Sequence, residues 1–252
     1  MFGSLKSLFG EKKETVAALK DLSALGVDMH SHLIPGIDDG SKSMDDTLYM
    51  LRVLEELGYR KVITSPHVVS DGYNNSTVTI LSGRDKIRQA IKENNIALEF
   101  DAVAEYYVDE TLLPKIEQKD ILTFGKGYVL VELSYLNKPN NAGEIFYKLQ
   151  VAGYKIVLAH PERYPYYHES SFAQYESLKD RNLLFQINIM SLIGKYGKDA
   201  QYTAERMIDK GMVDMIGLDL HTVKQLESIK ECLKTKYLSR ALASSKLLNN
   251  TL

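Results

Sequence analysis

The 252-residue chain contains one cysteine, Cys232, and no tryptophan. One thiol cannot close an internal disulfide, so the fold is not a disulfide scaffold, and this usage fits a reducing compartment. Proline is scarce, with 6 residues, and no linker or low-complexity segment interrupts the chain. No apolar run approaches the roughly 20 residues that span a bilayer. Neither sign of charge dominates: 31 basic residues stand against 33 acidic ones, for a net charge of -2. Without a basic field, non-specific binding to nucleic acid is not expected. The first residues also lack the apolar stretch and small-residue cleavage site of a signal peptide. A cytoplasmic protein is expected. Phe2, Leu5, Leu8 and Phe9 recur at helical spacing among Lys6, Lys12 and Lys13. They predict a helical or frayed extension over residues 1–26, with weak membrane-surface or partner binding as its alternative. Residues 27–252 are left as one domain.

What the chain does have is alternation. Runs suited to strands occupy Val27–Leu33, Lys61–His67, Ala97–Val108, Tyr128–Leu133, Lys155–His160, Leu183–Met190 and Val213–Leu220. Between several of them lie helical patterns: Leu48, Leu51, Leu54 and Leu57; Ile80, Ile87 and Ile91; Ile145, Leu149 and Ala152; Ala204, Met207 and Ile208. Leu226, Ile229 and Leu233 mark the last clear helix. Three helices run into a glycine and then a strand, at Gly58, Gly153 and Gly211. This is the loop grammar of repeated βα units, which builds a parallel sheet. Seven units suggest a closed or distorted barrel, with an open doubly wound sheet as competitor. No G-x-G-x-x-G follows the first strand, so the dinucleotide fingerprint is absent.

Chemistry collects at one end of these strands. They finish in Asp28-Met29-His30-Ser31-His32, Ser65-Pro66-His67, Ala104-Glu105-Tyr106, Ala159-His160-Pro161-Glu162-Arg163 and Asp219-Leu220-His221. In a parallel α/β domain those ends share the face that carries active sites. Residues i and i+2 of a strand point the same way, so His30 and His32 can converge, as can Asp219 and His221. The available ligands are His30, His32, His67, His160, His221, Glu105, Asp219 and one of Asp38 or Asp39. Imidazole with carboxylate suits manganese, zinc, iron or magnesium. Eight ligands exceed the needs of one ion, so at least two metals are expected and three fit. Glu132 reads as a supporting acid, and His168 as a solvated loop residue. Cys232 lies outside any C-x5-R loop, which excludes a cysteine-dependent phosphatase mechanism.

These motifs, with Pro35-Gly36-Ile37-Asp38-Asp39-Gly40 and His160-Pro161-Glu162-Arg163-Tyr164, resemble the PHP (polymerase and histidinol phosphatase) superfamily from about Val27 to Ile229. They are most similar to its bacterial manganese-dependent protein tyrosine phosphatases, which act with the tyrosine kinases of capsule and exopolysaccharide assembly. The resemblance implies a distorted (β/α)7 barrel and two or three divalent ions, manganese first, with iron, zinc or magnesium as other candidates. It implies one ion on His30, His32, Glu105 and Asp219, a second shared by Glu105 and His160, and a third on Asp39, His67 and His221. It also places Arg163 at the substrate phosphate, as the catalytic residue. Tyr106 and Tyr164, within a group that includes Tyr107, Tyr166 and Tyr167, are candidates to stack a phosphotyrosine ring. The expected substrate is a phosphotyrosine protein, a bacterial tyrosine kinase, with no nucleic acid and membrane contact only through that partner or the extension. The competing readings are a hydrolase for a small phosphate monoester such as histidinol phosphate and a catalytically weak metal-binding regulatory module. Leu220 departs from the small residue usual in relatives and is expected to point away from the ligands.

Overall fold

Seven parallel strand units form the wall of a barrel in the computed structural model, which describes residues 18–168, 171–244 and 246–252. The strands are β1 (Val27–Asp28), β2 (Lys61–Thr64), β3 (His67–Val68), β4 (Glu99–Ala102), β5 (Glu105–Tyr107), β6 (Tyr128–Glu132), β7 (Lys155–Ala159), β8 (Leu184–Asn188) and β9 (Met215–Gly217). They pair as β1-β2-β4 and as β3-β5-β6-β7-β8-β9. β2 and β3 are halves of one unit broken at Ser65-Pro66, where proline has no N–H for the ladder. β4 and β5 are likewise halves of one unit. The Val103 N–H donates to the Thr64 carbonyl at 2.8 Å and the Glu105 N–H to the Pro66 carbonyl at 3.0 Å, so pairing carries across both breaks.

The ring closes where first and last units meet. Ser31 bridges Leu220 in parallel, the His32 N–H donates to the Leu220 carbonyl at 2.8 Å, and the Asp219 N–H to the His30 carbonyl at 2.7 Å. Below these bonds, Asn249 Nδ2 donates to the carbonyls of Val27 and Ile216 at 2.9 and 2.8 Å, while its Oδ1 accepts from the Ile216 N–H at 3.0 Å. The expected distorted (β/α)7 barrel is therefore the fold.

The crossover helices are α1 (Met44–Glu56), α2 (Thr77–Glu93), a short α3 (Leu112–Glu117), α4 (Ala142–Val151), α5 (Ala173–Asp180) and α6 (Lys198–Asp209), and α7 (Gln225–Cys232) and α8 (Lys236–Ala243) follow the last strand. α1 starts at Ser43, whose hydroxyl caps the Asp46 N–H, and buries Met50, Leu51, Val53 and Leu54. Fully burying a side chain of that size contributes about 1.5–3 kcal/mol. The three expected turns hold glycines with φ of 91°, 91° and 64° at Gly58, Gly153 and Gly211, the left-handed region open to glycine. α3, α5 and α8 have no counterpart in the periodicity described above.

Two apolar layers result. One packs the helices on the outer face of the strands. The other draws Val27, Met29, Ile63, Leu130, Val157, Ala159 and Met215 from strands on different sides of the ring, and so fills its interior. The expected extension splits at residue 18. Residues 1–17, with Phe2, Leu5, Leu8 and Phe9, lie outside the described residues. Leu22 and Leu25, by contrast, are buried in the core, so residues 18–26 pack as part of the domain. No helix among the described residues is long and apolar enough to cross a membrane.

Candidate metal centre

Three strand units stop just short of the polar residues expected at their ends. β1 ends at Asp28, β7 at Ala159 and β9 at Gly217, so His30, His32, His160, Asp219 and His221 sit on the turns above them. Two of these turns are strained: His160 has a φ of 33° and Asp219 a φ of 49°. Side-chain-bearing residues adopt such values only where the surroundings enforce them, a pattern that gathers at functional sites. His67 and Glu105 instead begin β3 and β5, paired in register with each other.

All eight expected ligands converge. Glu105 is buried at the centre, with its two oxygens turned to different partners. Oε2 lies 3.3 Å from His30 Nε2, 3.4 Å from His32 Nε2 and 3.2 Å from His67 Nδ1. Oε1 lies 3.2 Å from His160 Nε2. Asp219 Oδ1 is 3.4 Å from His30 Nε2 and 3.5 Å from His32 Nε2. Asp39 Oδ1 is 3.5 Å from both His67 Nε2 and His221 Nε2. Ligand atoms fall within 4.8 Å of one another in four sets: His32, Asp39, His67 and His221; His30, His32 and Glu105; His30, His160 and Asp219; His67, Glu105 and Glu132. Glu132 thus joins the cluster, 3.5 Å from His160 and 3.6 Å from His67. Its place at the end of the fourth unit was the signal for it.

The two adjacent aspartates separate in space. Asp38 is buried, and its Oδ2 accepts from His32 Nδ1 at 2.9 Å and from the His67 N–H at 3.2 Å. Asp39 projects into the open side, its side chain 51% exposed.

The donor set fits divalent ions. Buried His30 Nε2, His32 Nε2 and both Glu105 oxygens have no hydrogen-bond partner among the described residues, and such orphans are costly unless a ligand takes them up. The other ring nitrogens are engaged: His30 Nδ1 with Gln186 Oε1 at 2.7 Å, His32 Nδ1 with Asp38, and His221 Nδ1 with the Asp219 carbonyl at 3.0 Å. An engaged Nδ1 leaves Nε2 for a metal, the usual arrangement at such sites. The crowding moves the proton equilibria. Burial pulls the His30 pKa down, but the charges of Glu105 and Asp219 more than offset it and hold it up at about 9. Burial pushes Glu105 up, yet the rings of His30 and His67 hold it well below the usual carboxylate range. Burial and then the Arg163 charge bring His160 down to about 4. Burial, reinforced by Glu105 and Asp219, pushes Glu132 well up.

A cavity of about 190 Å³ opens above the cluster, lined by Asp39, His67, His221, Tyr135, Arg163 and Tyr196, among others. Arg163 donates from Nη1 to Asp219 Oδ2 at 2.8 Å, rather than pairing with Glu162 or Glu132. Its guanidinium carbon lies 4.1 Å from the Tyr196 ring centre and 4.9 Å from that of Tyr135.

The expected aromatic wall requires correction. Tyr106 is buried and its hydroxyl accepts from the Leu122 N–H at 2.8 Å. Tyr164 is fully buried, its hydroxyl accepting from the Leu133 N–H and donating to the Ala159 carbonyl. Both rings are committed to packing, and Tyr135 and Tyr196 face the cavity instead. His168 is half-buried and bonds the Glu162 carbonyl through Nε2 at 2.7 Å. Leu220 is buried in the core, directed away from the ligands as expected.

The chain matches the family described as "Capsular polysaccharide synthesis, CpsB/CapC" over residues 26–249. It is 27% identical to the tyrosine-protein phosphatase YwqE of Bacillus subtilis (strain 168), over 79% of this chain and 78% of that protein. It is 25% identical to the tyrosine-protein phosphatase CpsB of Streptococcus pneumoniae, over 78% of this chain and 83% of that one. Its fold superposes on a chain from the crystal structures of YwqE and CpsB, which are metal-dependent tyrosine phosphatases. The TM-score is 0.76, with 25% identity, 86% of this chain covered and 90% of the other. The barrel, the converging histidines and a match spanning nearly the whole domain agree: this chain belongs to the CpsB/CapC family of capsular polysaccharide synthesis proteins.

Proposed function

We propose that the protein is a metal-dependent phosphatase that hydrolyses phosphotyrosine in a protein, a bacterial tyrosine kinase of capsule or exopolysaccharide synthesis, in the cytoplasm. The observation that carries this reading is the buried His/Glu/Asp cluster with unpartnered ligand atoms beneath a cavity that also holds Arg163. Its kinship with tyrosine-protein phosphatases supports phosphotyrosine as the group hydrolysed. His30, His32, Asp39, His67, Glu105, His160, Asp219 and His221, joined by Glu132, would hold two or three ions, with manganese the first candidate. Bound ions of this kind supply hydroxide near neutral pH and positive charge for the phosphoryl oxygens.

The chain's own residues do the rest. Arg163, packed against the rings of Tyr135 and Tyr196, carries a planar guanidinium fork suited to phosphoryl oxygens. Tyr135, which lines the cavity and stays partly exposed, can meet the substrate's ring by edge or stacked contact. The carboxylates of Glu105 and Asp219 would balance the positive charge of bound ions. Cys232 takes no part: it is buried in α7 and bonds the Ile189 and Ser228 carbonyls.

The test strips the metal, restores manganese, iron or zinc, and compares a phosphotyrosine peptide with histidinol phosphate. Faster turnover of the peptide, restored by manganese, is expected. Preference for histidinol phosphate would replace the substrate, and full activity without metal would defeat the reading.

A further inference from the structure

β8 reaches the mouth of the barrel without supplying a single histidine or carboxylate, yet its last residues are buried beside the cluster. Gln186 and Asn188 are both fully buried, and two residues apart on a strand they face the same way. Together they form an unbroken chain of hydrogen bonds. His30 Nδ1 lies 2.7 Å from Gln186 Oε1. Gln186 Nε2 donates to Asn188 Oδ1 at 2.9 Å. Asn188 Nδ2 donates to Asp219 Oδ2 at 2.7 Å, the oxygen that also accepts from Arg163.

The polarity of this chain has one solution. An ionised carboxylate only accepts, so Asn188 must turn its NH2 to Asp219 and its oxygen to Gln186. Gln186 must then present its own NH2 to Asn188, which leaves its oxygen facing His30. His30 must therefore carry a proton on Nδ1, and its neutral ring has its lone pair on Nε2, the atom aimed at Glu105 and Asp219. Gly217 makes room for the arrangement: a Cβ there would stand 2.7 Å from Gln186 Nε2 and 2.8 Å from the His30 Cβ.

We propose that Gln186 and Asn188 are positioning residues, an amide relay through which the Asp219 carboxylate fixes the tautomer of His30 and holds its Nε2 ready for a metal ion. The proposal rests on the metal-dependent reading above. It also assigns the two Asp219 oxygens different tasks, Oδ1 toward the histidines and Oδ2 toward the relay and Arg163.

Two measurements on the full chain test it. Gln186→Met keeps the shape of the side chain but cannot relay polarity. Manganese affinity, read by competition with a chelator, should fall about 10- to 100-fold, the usual cost of removing a ligand's orienting partner. In the zinc-loaded wild type, a long-range ¹H–¹⁵N spectrum should show His30 protonated at Nδ1. Manganese affinity of Gln186→Met within twofold of wild type, or a His30 proton on Nε2, would overturn the relay. If Gln186→Met does not fold, the wild-type spectrum decides alone. Failure of the wild type to take up manganese or zinc would instead sink the metal-dependent reading, so the two failures are distinguishable.

Discussion

Asp38 and Asp39 are adjacent in sequence, yet one is buried against His32 and the other reaches His67 and His221 in the open cavity. Their alanine variants should therefore fail differently. Asp39→Ala should lose one ion per chain, together with turnover, as read by elemental analysis. Asp38→Ala should keep the ion count at saturating metal while affinity drops about 10- to 100-fold, because His32 loses its orienting partner. Arg163 makes a second contrast. Arg163→Ala should lower kcat by roughly 10²–10³ while metal content stays constant, since Asn188 still holds Asp219 Oδ2. Lysine should restore only part of the rate, because a point charge lacks the guanidinium fork. Normal turnover per metallated chain would remove Arg163 from the phosphate. Cys232→Ser should leave turnover unchanged, for burial pushes that thiol up to about 12 and leaves no thiolate to attack.

At the scale of the elements, the strand ends and the histidines on them were legible because alternation and i, i+2 spacing are local properties. Strand lengths were not. The pattern ran the first strand to Leu33, but pairing stops at Asp28 and only Ser31 re-enters it, since the intervening residues bend toward the cluster. Nothing in periodicity reports that His160 and Asp219 take positive φ. Tyr106 and Tyr164 were misread because nearness in sequence to a ligand does not tell which side of the wall a ring takes. Tyr135 and Tyr196 carry no motif; only their positions after the fourth and sixth units point to the same face. Gly217, unremarkable in sequence, has a defined consequence. Gly217→Ala should weaken metal binding and lower the melting temperature, because the added methyl meets both Gln186 and His30. Wild-type affinity and stability in that variant would mean that β9 can shift to make room.

For the whole molecule, closure of the ring depends on few bonds, and Asn249 supplies three of them from the far end of the sequence. Asn249→Ala would leave two carbonyls and one N–H of buried strands unpartnered. At about 1–3 kcal/mol for each such group, the unfolding free energy should drop by roughly 3 kcal/mol or more, measurable by urea titration of the metal-free protein. A loss under about 1 kcal/mol would show that the apolar interior closes the ring unaided. The same closure governs the site, because His30 and His32 enter from the first unit while Asp219 and His221 enter from the last.

That arrangement bears on how the protein is made. A ribosome releases the first two histidines long before the final aspartate and histidine exist, and the asparagine that fastens the seam follows later still. Domains of this size gather their long-range contacts late and in stages. A nascent chain therefore offers scattered single ligands, not a finished pocket. Metal loading is therefore expected to follow synthesis of the barrel through Asn249, so a bound metal would report that the ring has closed.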